Sequence, residues 1–355
     1  MRALVGTANF ATTWLAPVVA LLIAAIVGDV LILSFGQSPG EVYRLLIEGT
    51  WGNAYGLGQV LYKATTLTFT GLAVAIGLRA GLFNIGAEGQ LAAGGFAAAM
   101  AGLALPPGTP VLLAVPVCLA AAAAGGGIVG AVPGALKARF GASEVIVTIM
   151  LNFVVLAFLN WIVAAKLHVG ESLHTPGINA GAVPRLSDVA TAFHGSAANS
   201  TILLAVGTSA AVGWFLFRTR AGYDLRATGL QPEAAEYGGV SVAAIHFRAL
   251  ALAGALAGLG GVNYVLGYKQ YYEEGFAAGS GFLGIAVALV GRNHPAGVPV
   301  AALLFATISQ GGLAVNAIVP KQMVEVLTAV VIVAVAVTVP EVQRLAGLAR
   351  RSAGS

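Results

Sequence analysis

Residues 81–96 read GLFNIGAEGQLAAGGF, and the reading of this stretch decides what kind of chain this is. Asn84, Glu88 and Gln90 stand among glycines, alanines and large apolar residues, with Arg79 just upstream. Apolar runs long enough to cross a bilayer lie on both sides. A carboxylate inside hydrocarbon costs roughly 3 kcal/mol or more, so such residues face a bundle interior or an aqueous path. Gly81, Gly86, Gly89, Gly94 and Gly95 allow a broken helix and close backbone approach. The stretch predicts a membrane-embedded break, and the rest of the chain must say what the break serves.

The composition sets the class. Of 355 residues, 58% are hydrophobic and only 9% charged, with 48 glycines and a mean hydropathy of +0.88. A soluble domain carries roughly 25% charged residues. High glycine content suits packed membrane helices, where small residues let backbones meet. The apolar runs are continuous rather than alternating, which argues against an outer-membrane barrel. The expected fold class is all-α: a polytopic helical membrane protein with about ten transmembrane helices. The net charge of +4 reads as an orientation signal, not as a nucleic-acid footprint. Cys118, the single cysteine, allows no intrachain disulfide and reads as a small packed hydrophobe.

The spans fall at about 14–35, 56–78, 84–103, 110–132, 144–165, 199–217, 247–267, 276–291, 298–317 and 322–340. The first exceeds a signal-peptide core in length and is expected to stay as an anchor. The eighth is short and Gly-rich, so a broken or re-entrant segment is open there. A polar connector at 36–55 has room for a short surface helix. With the N-terminus inside, twelve of the eighteen Lys and Arg fall on the cytoplasmic side, which favours cytoplasmic N- and C-termini. Residues 166–199 then form an extracytoplasmic loop. It holds His168, His174 and His194, whose spacing matches no standard zinc pattern.

On the opposite side, residues 218–246 read RTRAGYDLRATGLQPEAAEYGGVSVAAIH. Pro232 fits the first position of a helix, Gln231 its N-cap, and Glu233 and Glu236 the positive end of its dipole. Gly238 and Gly239 can end it. The result is a helix of about two turns with Ala234 and Ala235 on one face. It is either a solvated connector or a docking helix for a cytoplasmic protein.

Absent motifs narrow the class further. No P-loop, H-E-x-x-H, Ser-x-x-Lys or G-x-S-x-G sequence occurs. Catalytic residues, metal ligands and cofactors are therefore not expected. Glu88 stands without the several relay residues common in ion-driven carriers. A pore that takes its energy from another subunit fits better than an ion-coupled carrier or channel for a small polar solute, which is the alternative.

Four segments carry a resemblance. Phe83 to Gln90 (FNIGAEGQ), Gly141 to Asn152 (GASEVIVTIMLN), Arg226 to Gly239 (RATGLQPEAAEYGG) and Gly284 to Pro295 (GIAVALVGRNHP) resemble, in order and spacing, permease subunits of nucleoside- or simple-sugar-type ABC importers. These belong to the branched-chain amino-acid/ribose permease superfamily. The resemblance implies one permease domain over 1–355 in the plasma (inner) membrane. Implied partners are two ATP-binding cassette ATPases, a second homologous permease making a heterodimer, and an extracytoplasmic substrate-binding lipoprotein. Residues 218–246 would be the cytoplasmic coupling loop, with Arg226, Gly229, Gln231, Pro232, Glu233, Ala234, Ala235 and Gly238 engaging the ATPase. Gln231 stands where the family usually has Asn, which weakens the helix cap. Asn84, Glu88, Gln90 and Asn152 are expected near the substrate pathway, either touching substrate or bracing the break.

Overall fold

The computed structural model describes residues 22–316, 318–320, 322 and 325–334. Residues 14–21 of the first expected span and 335–340 of the last lie outside these. A continuous apolar chain in lipid must pair its backbone groups internally, and this one does so with helices. Among the described residues there are only isolated β-bridges and no named strand.

The helices are α1 (Leu22–Ser34), α2 (Pro39–Thr50), α3 (Ala54–Arg79), α4 (Ala87–Ala104), α5 (Val111–Phe140), α6 (Glu144–Ile162), α7 (Leu186–Val189), α8 (Thr201–Arg218), α9 (Arg220–Leu230), α10 (Pro232–Tyr237), α11 (Val242–Tyr264), α12 (Ser280–Val290), α13 (Gly297–Ala314) and α14 (Glu325–Ala334). Single π-helical turns extend α6 to Leu167 and α11 to Lys269. Six of these elements are long and apolar enough to cross a membrane, or seven if α1 and α2, bent by 111°, count as one. The ten expected spans thus include segments that are not full spans by length and composition. At 276–291 only α12 is helical, and its 11 residues reach about 16 Å of the roughly 30 Å hydrocarbon thickness. The connector at 36–55 does contain a short helix, α2.

The chain divides into two units, broken near Gly56 and Ala306. In the first, Ile32, Val42, Val315 and Val319 form a small apolar core, and the Trp51 indole donates to Thr307 Oγ1 at 3.1 Å. The second unit holds everything that bears on the break.

Its centre is a seam of small residues joining α4, α5 and α11. A Cβ on Gly126 would sit 2.3 Å from the Gly254 carbonyl oxygen, and one on Gly258 would sit 2.4 Å from that of Ala122. A Cβ on Gly94 would lie 2.2 Å from the Gly258 Cα. Three helices meet at Gly258 with no room for a side chain, the small-residue packing that lipid-embedded helices favour. Gly258→Val should therefore cost at least the roughly 1–3 kcal/mol of an overpacked core. The expected result is several-fold less monodisperse protein on size exclusion of detergent extracts. An unchanged yield would mean that the seam can open.

The 166–199 segment is tied down by backbone hydrogen bonds. Thr175 N–H donates to the Tyr272 carbonyl at 2.8 Å, Asn179 N–H to Gly102 at 3.1 Å and Val183 N–H to Leu266 at 3.0 Å. Among the described residues no group of three His, Cys, Asp or Glu could hold a metal. Cys118 is fully buried in the apolar core of this unit.

Candidate functional site

The break begins where α3 stops. Gly81 takes φ +74°, so its N–H reaches the Leu78 carbonyl at 3.1 Å and the Leu82 N–H reaches Gly77 at 2.9 Å. This is the glycine-terminated helix end that satisfies orphan carbonyls. Residues 82–86 are not helical, and α4 starts at Ala87. Backbone groups left open there must find side chains, because no lipid can serve them.

Four polar side chains do this work. Asn84 and Gln90, both fully buried, form a reciprocal amide pair at 2.9 and 3.1 Å. Asn84 Oδ1 also accepts the Gly86 N–H at 3.0 Å. From α6, Asn152 donates to the Ile85 carbonyl at 2.8 Å and accepts the Gly89 N–H at 2.9 Å. Thr148, one turn earlier, accepts the Ile85 N–H at 3.3 Å. Asn84, Gln90 and Asn152, expected together, are gathered around one gap in the chain.

Glu88 points elsewhere. The residue is 4% exposed, and its two carboxylate oxygens accept the N–H groups of Gly279 and Gly281, each at 2.6 Å. These N–H groups open α12, so Glu88 caps a half-length helix at its positive dipole end. Gly281 makes the approach possible, since a Cβ there would lie 2.2 Å from the Glu88 nitrogen. Thr70 Oγ1 donates to the Ser280 carbonyl at 3.1 Å and fastens the same end to α3. At the other end of α12, Arg79 Nε donates to the Asn293 carbonyl at 2.9 Å.

The eight expected coupling residues lie on α9, α10 and their junctions. Pro232 starts α10 and Gly238 ends it, as the spacing predicts. Gln231 stands at the N-cap without a capping hydrogen bond. Glu233 and Ala234 are exposed, but Ala235 is 7% exposed and packs inward. A groove of about 640 Å³ is lined by Tyr223, Gln231, Ala234, Ala235 and Arg248, among others. Arg226 sits inward: its Nε donates to the Leu216 carbonyl at 3.0 Å and its guanidinium lies 5.3 Å from the Phe217 ring centre. Gly229 touches the break itself, for a Cβ on it would lie 2.2 Å from the Arg79 carbonyl oxygen. His294 stacks on the far part of this cluster, 5.3 Å from Phe217. Burial, and then the Arg79 charge, hold its imidazole below the usual histidine range.

Sequence reasoning passed over a second buried network. Asn263, 1% exposed, donates to the Tyr62 carbonyl at 2.8 Å and Thr66 Oγ1 at 2.9 Å. Its oxygen accepts from Asn199 at 2.9 Å and lies 2.8 Å from the Thr201 hydroxyl. The signal was present: Asn263 is an amide inside an apolar run, the same sign that drew attention to Asn84. Thr148 and Arg79 were likewise visible without a role.

Residues 56–336 match the family described as Branched-chain amino acid transport system / permease component. Curated relatives include the Nucleoside ABC transporter permease protein NupB of Lactococcus lactis subsp. cremoris, 34% identical over 91% of this chain and 90% of that protein. The Guanosine ABC transporter permease protein NupP of Bacillus subtilis is 35% identical over 91% of this chain and 92% of its own length. The Glucose ABC transporter permease protein TsgB13 of Haloferax volcanii is 31% identical over 90% and 87%. No solved structure matches the chain.

Proposed function

The chain belongs to the branched-chain amino acid transport system permease family and is a permease subunit of an ABC importer, and on that premise we propose that it admits nucleosides. One observation carries the choice of a neutral solute: the N-terminus of α12 already holds Glu88. In transporters, the positive ends of half-helices near mid-membrane are where anionic substrate groups are received. A free amino acid or a nucleotide would have to compete with an internal carboxylate for this end. A nucleoside or sugar brings no anion and meets no such conflict. The names of the two relatives that are 34% and 35% identical favour the nucleoside over the sugar.

In this reading the chain crosses the plasma membrane ten times. Residues 270–279 and α12 together make one broken span, and both termini are cytoplasmic. The bias of Lys and Arg toward one side supports that orientation. Asn84, Gln90, Asn152 and Glu88 frame the pathway by holding its broken helices, and the solute passes beside them. A second, similar permease completes the pore, a lipoprotein delivers the solute, and two ATPases dock on α9–α10 around Arg226 to Gly238.

The test is uptake of tritiated guanosine into proteoliposomes holding this chain with a second permease, the two ATPases and the lipoprotein. Uptake should require ATP and resist competition by glucose and leucine. Competition by glucose would move the reading to a sugar, and competition by leucine would end the neutral-solute argument. Uptake by this chain alone would favour the ion-coupled carrier or channel. Docking has a cleaner probe than a paired substitution, because Ala235 is buried and Ala234 is not. Ala234→Arg should abolish ATPase co-purification while leaving the permease folded, as read by size exclusion. Retained co-purification would remove α10 from the contact.

A further inference from the structure

The geometry points to Arg79 as the joint between the docking helices and α12, with α12 and the 81–90 break moving together as the gate. This rests on the ATP-driven reading above and adds a positioning residue that the reading does not need.

Three observations meet at Arg79. First, the carbonyl of Arg79 is where α9 bears on the break: Gly229 packs against it and against the Gly81 nitrogen, which a Cβ on Gly229 would approach to 2.2 and 2.8 Å. Glycine on one side and a φ of +74° on the other leave contact between bare backbones, with no flexible side chain to absorb a shift. Second, the Arg79 guanidinium shares the Phe217 ring with Arg226, at 5.8 and 5.3 Å. One ring thereby holds two like charges near each other, and the Arg226 end is anchored to α8 through the Leu216 carbonyl. Third, Arg79 Nε donates to Asn293 at 2.9 Å, just past α12, where Arg292 and Asn293 take φ +57° and +52°.

α12 is therefore gripped at both ends by the residues that flank one break. Arg79 holds its C-terminal turn, and Glu88 holds its first N–H groups. A helix of 11 residues held at both ends by hydrogen bonds to charged groups moves with its clamps rather than between them. A shift of α9 toward or away from the membrane acts on Arg79 through backbone contact, and α12 follows. Residues 275–278, non-helical and past the hydrogen bonds that pin 270–274 to the 166–199 segment, supply the slack.

The test uses the assembled, reconstituted transporter with Cys118→Ala and Ala278→Cys, the latter at an exposed position just before α12. A membrane-impermeant maleimide reports the labelling rate of Ala278→Cys with and without ATP plus vanadate. With Arg79 intact, trapping should change the rate several-fold. Arg79→Met should erase that change while ATP hydrolysis per assembled complex persists, and Arg79→Lys should recover part of it. Phe217→Leu, which leaves the Arg79–Asn293 bond in place, should weaken the change in the same direction. The proposal is overturned if Arg79→Met keeps the trapping response. It is also overturned if the variant loses assembly, hydrolysis and response in proportion, since that marks a purely structural arginine, or if the intact protein shows no response. Absence of an ATPase-containing complex altogether would instead strike the importer reading.

Discussion

Glu88→Leu should leave α12 uncapped and reduce folded, extractable protein by an order of magnitude or more. Two N–H groups now bonded to carboxylate oxygens at 2.6 Å would lose their acceptors, and that of Gly281 is buried. An orphaned buried donor costs about 1–3 kcal/mol, and loss of a charge at a half-buried helix end adds up to about 2. The sum, about 1–5 kcal/mol, reaches a large part of the roughly 5–15 that holds a domain together. Glu88→Gln keeps the shape but has one acceptor oxygen, and its NH2 would face another donor. It should fall in between, with a lower melting temperature and uptake that scales with the protein that remains folded. If Glu88→Gln instead melts like the parent and fails to transport, Glu88 contacts the solute and the bracing role is wrong.

The break was legible because it violates its surroundings. Asn84, Glu88 and Gln90 have no reason to stand in an apolar run unless something near them needs hydrogen bonds. Their partners were not legible. Asn84 and Gln90 meet over six positions, but Glu88 reaches Gly279, 191 positions away, and no local periodicity encodes that pairing. The short α10 could be read from Pro232 to Gly238 because caps and proline act locally. Helix α9 could not, since Gly222 and Gly229 lower helix propensity. They are there for close approach: a Cβ on Gly222 would lie 2.0 Å from the Phe215 carbonyl oxygen.

At 276–291 the short length and the glycines left a broken or re-entrant segment open, and the structure has a half-length helix there, α12. The segment before it, YYEEGFAAG (271–279), is not helical, and of it only the apolar FAAG at 276–279 entered the expected span. Its backbone is committed elsewhere: Tyr272 carbonyl accepts from Thr175, Glu274 N–H donates to Leu173, and Gln270 takes φ +62°. Hydropathy reports burial in lipid, not which hydrogen bonds the backbone makes. Length and glycine content can flag a half-helix, but not the residue that caps it, here Glu88.

Asn263→Leu is the sterner test of whether buried amides, rather than apolar area, hold this bundle in register. Asn263 uses both of its donors, on Tyr62 and Thr66, and its oxygen serves Asn199 and Thr201. It links α11 to α3 and to the start of α8, where Asn199 Oδ1 accepts the Thr201 N–H at 3.1 Å. Leucine of similar size removes all four contacts and leaves partners buried. Interhelical hydrogen bonds in membranes average only about 0.6 kcal/mol each, because the loosened state finds other partners. Four such bonds give a floor of about 2 kcal/mol, and unsatisfied buried groups raise it toward about 5. Thermal unfolding of purified protein should register a loss in that range. Asn199→Leu alone should cost less, since Asn263 keeps its bonds to α3. The double variant separates a network from a set of independent pairs: in a network, Asn199→Leu adds little once Asn263 is gone, with a coupling of roughly 0.5–3 kcal/mol. Strict additivity would mean that these amides merely occupy the same place, and the register of α3, α8 and α11 would then have to come from apolar packing.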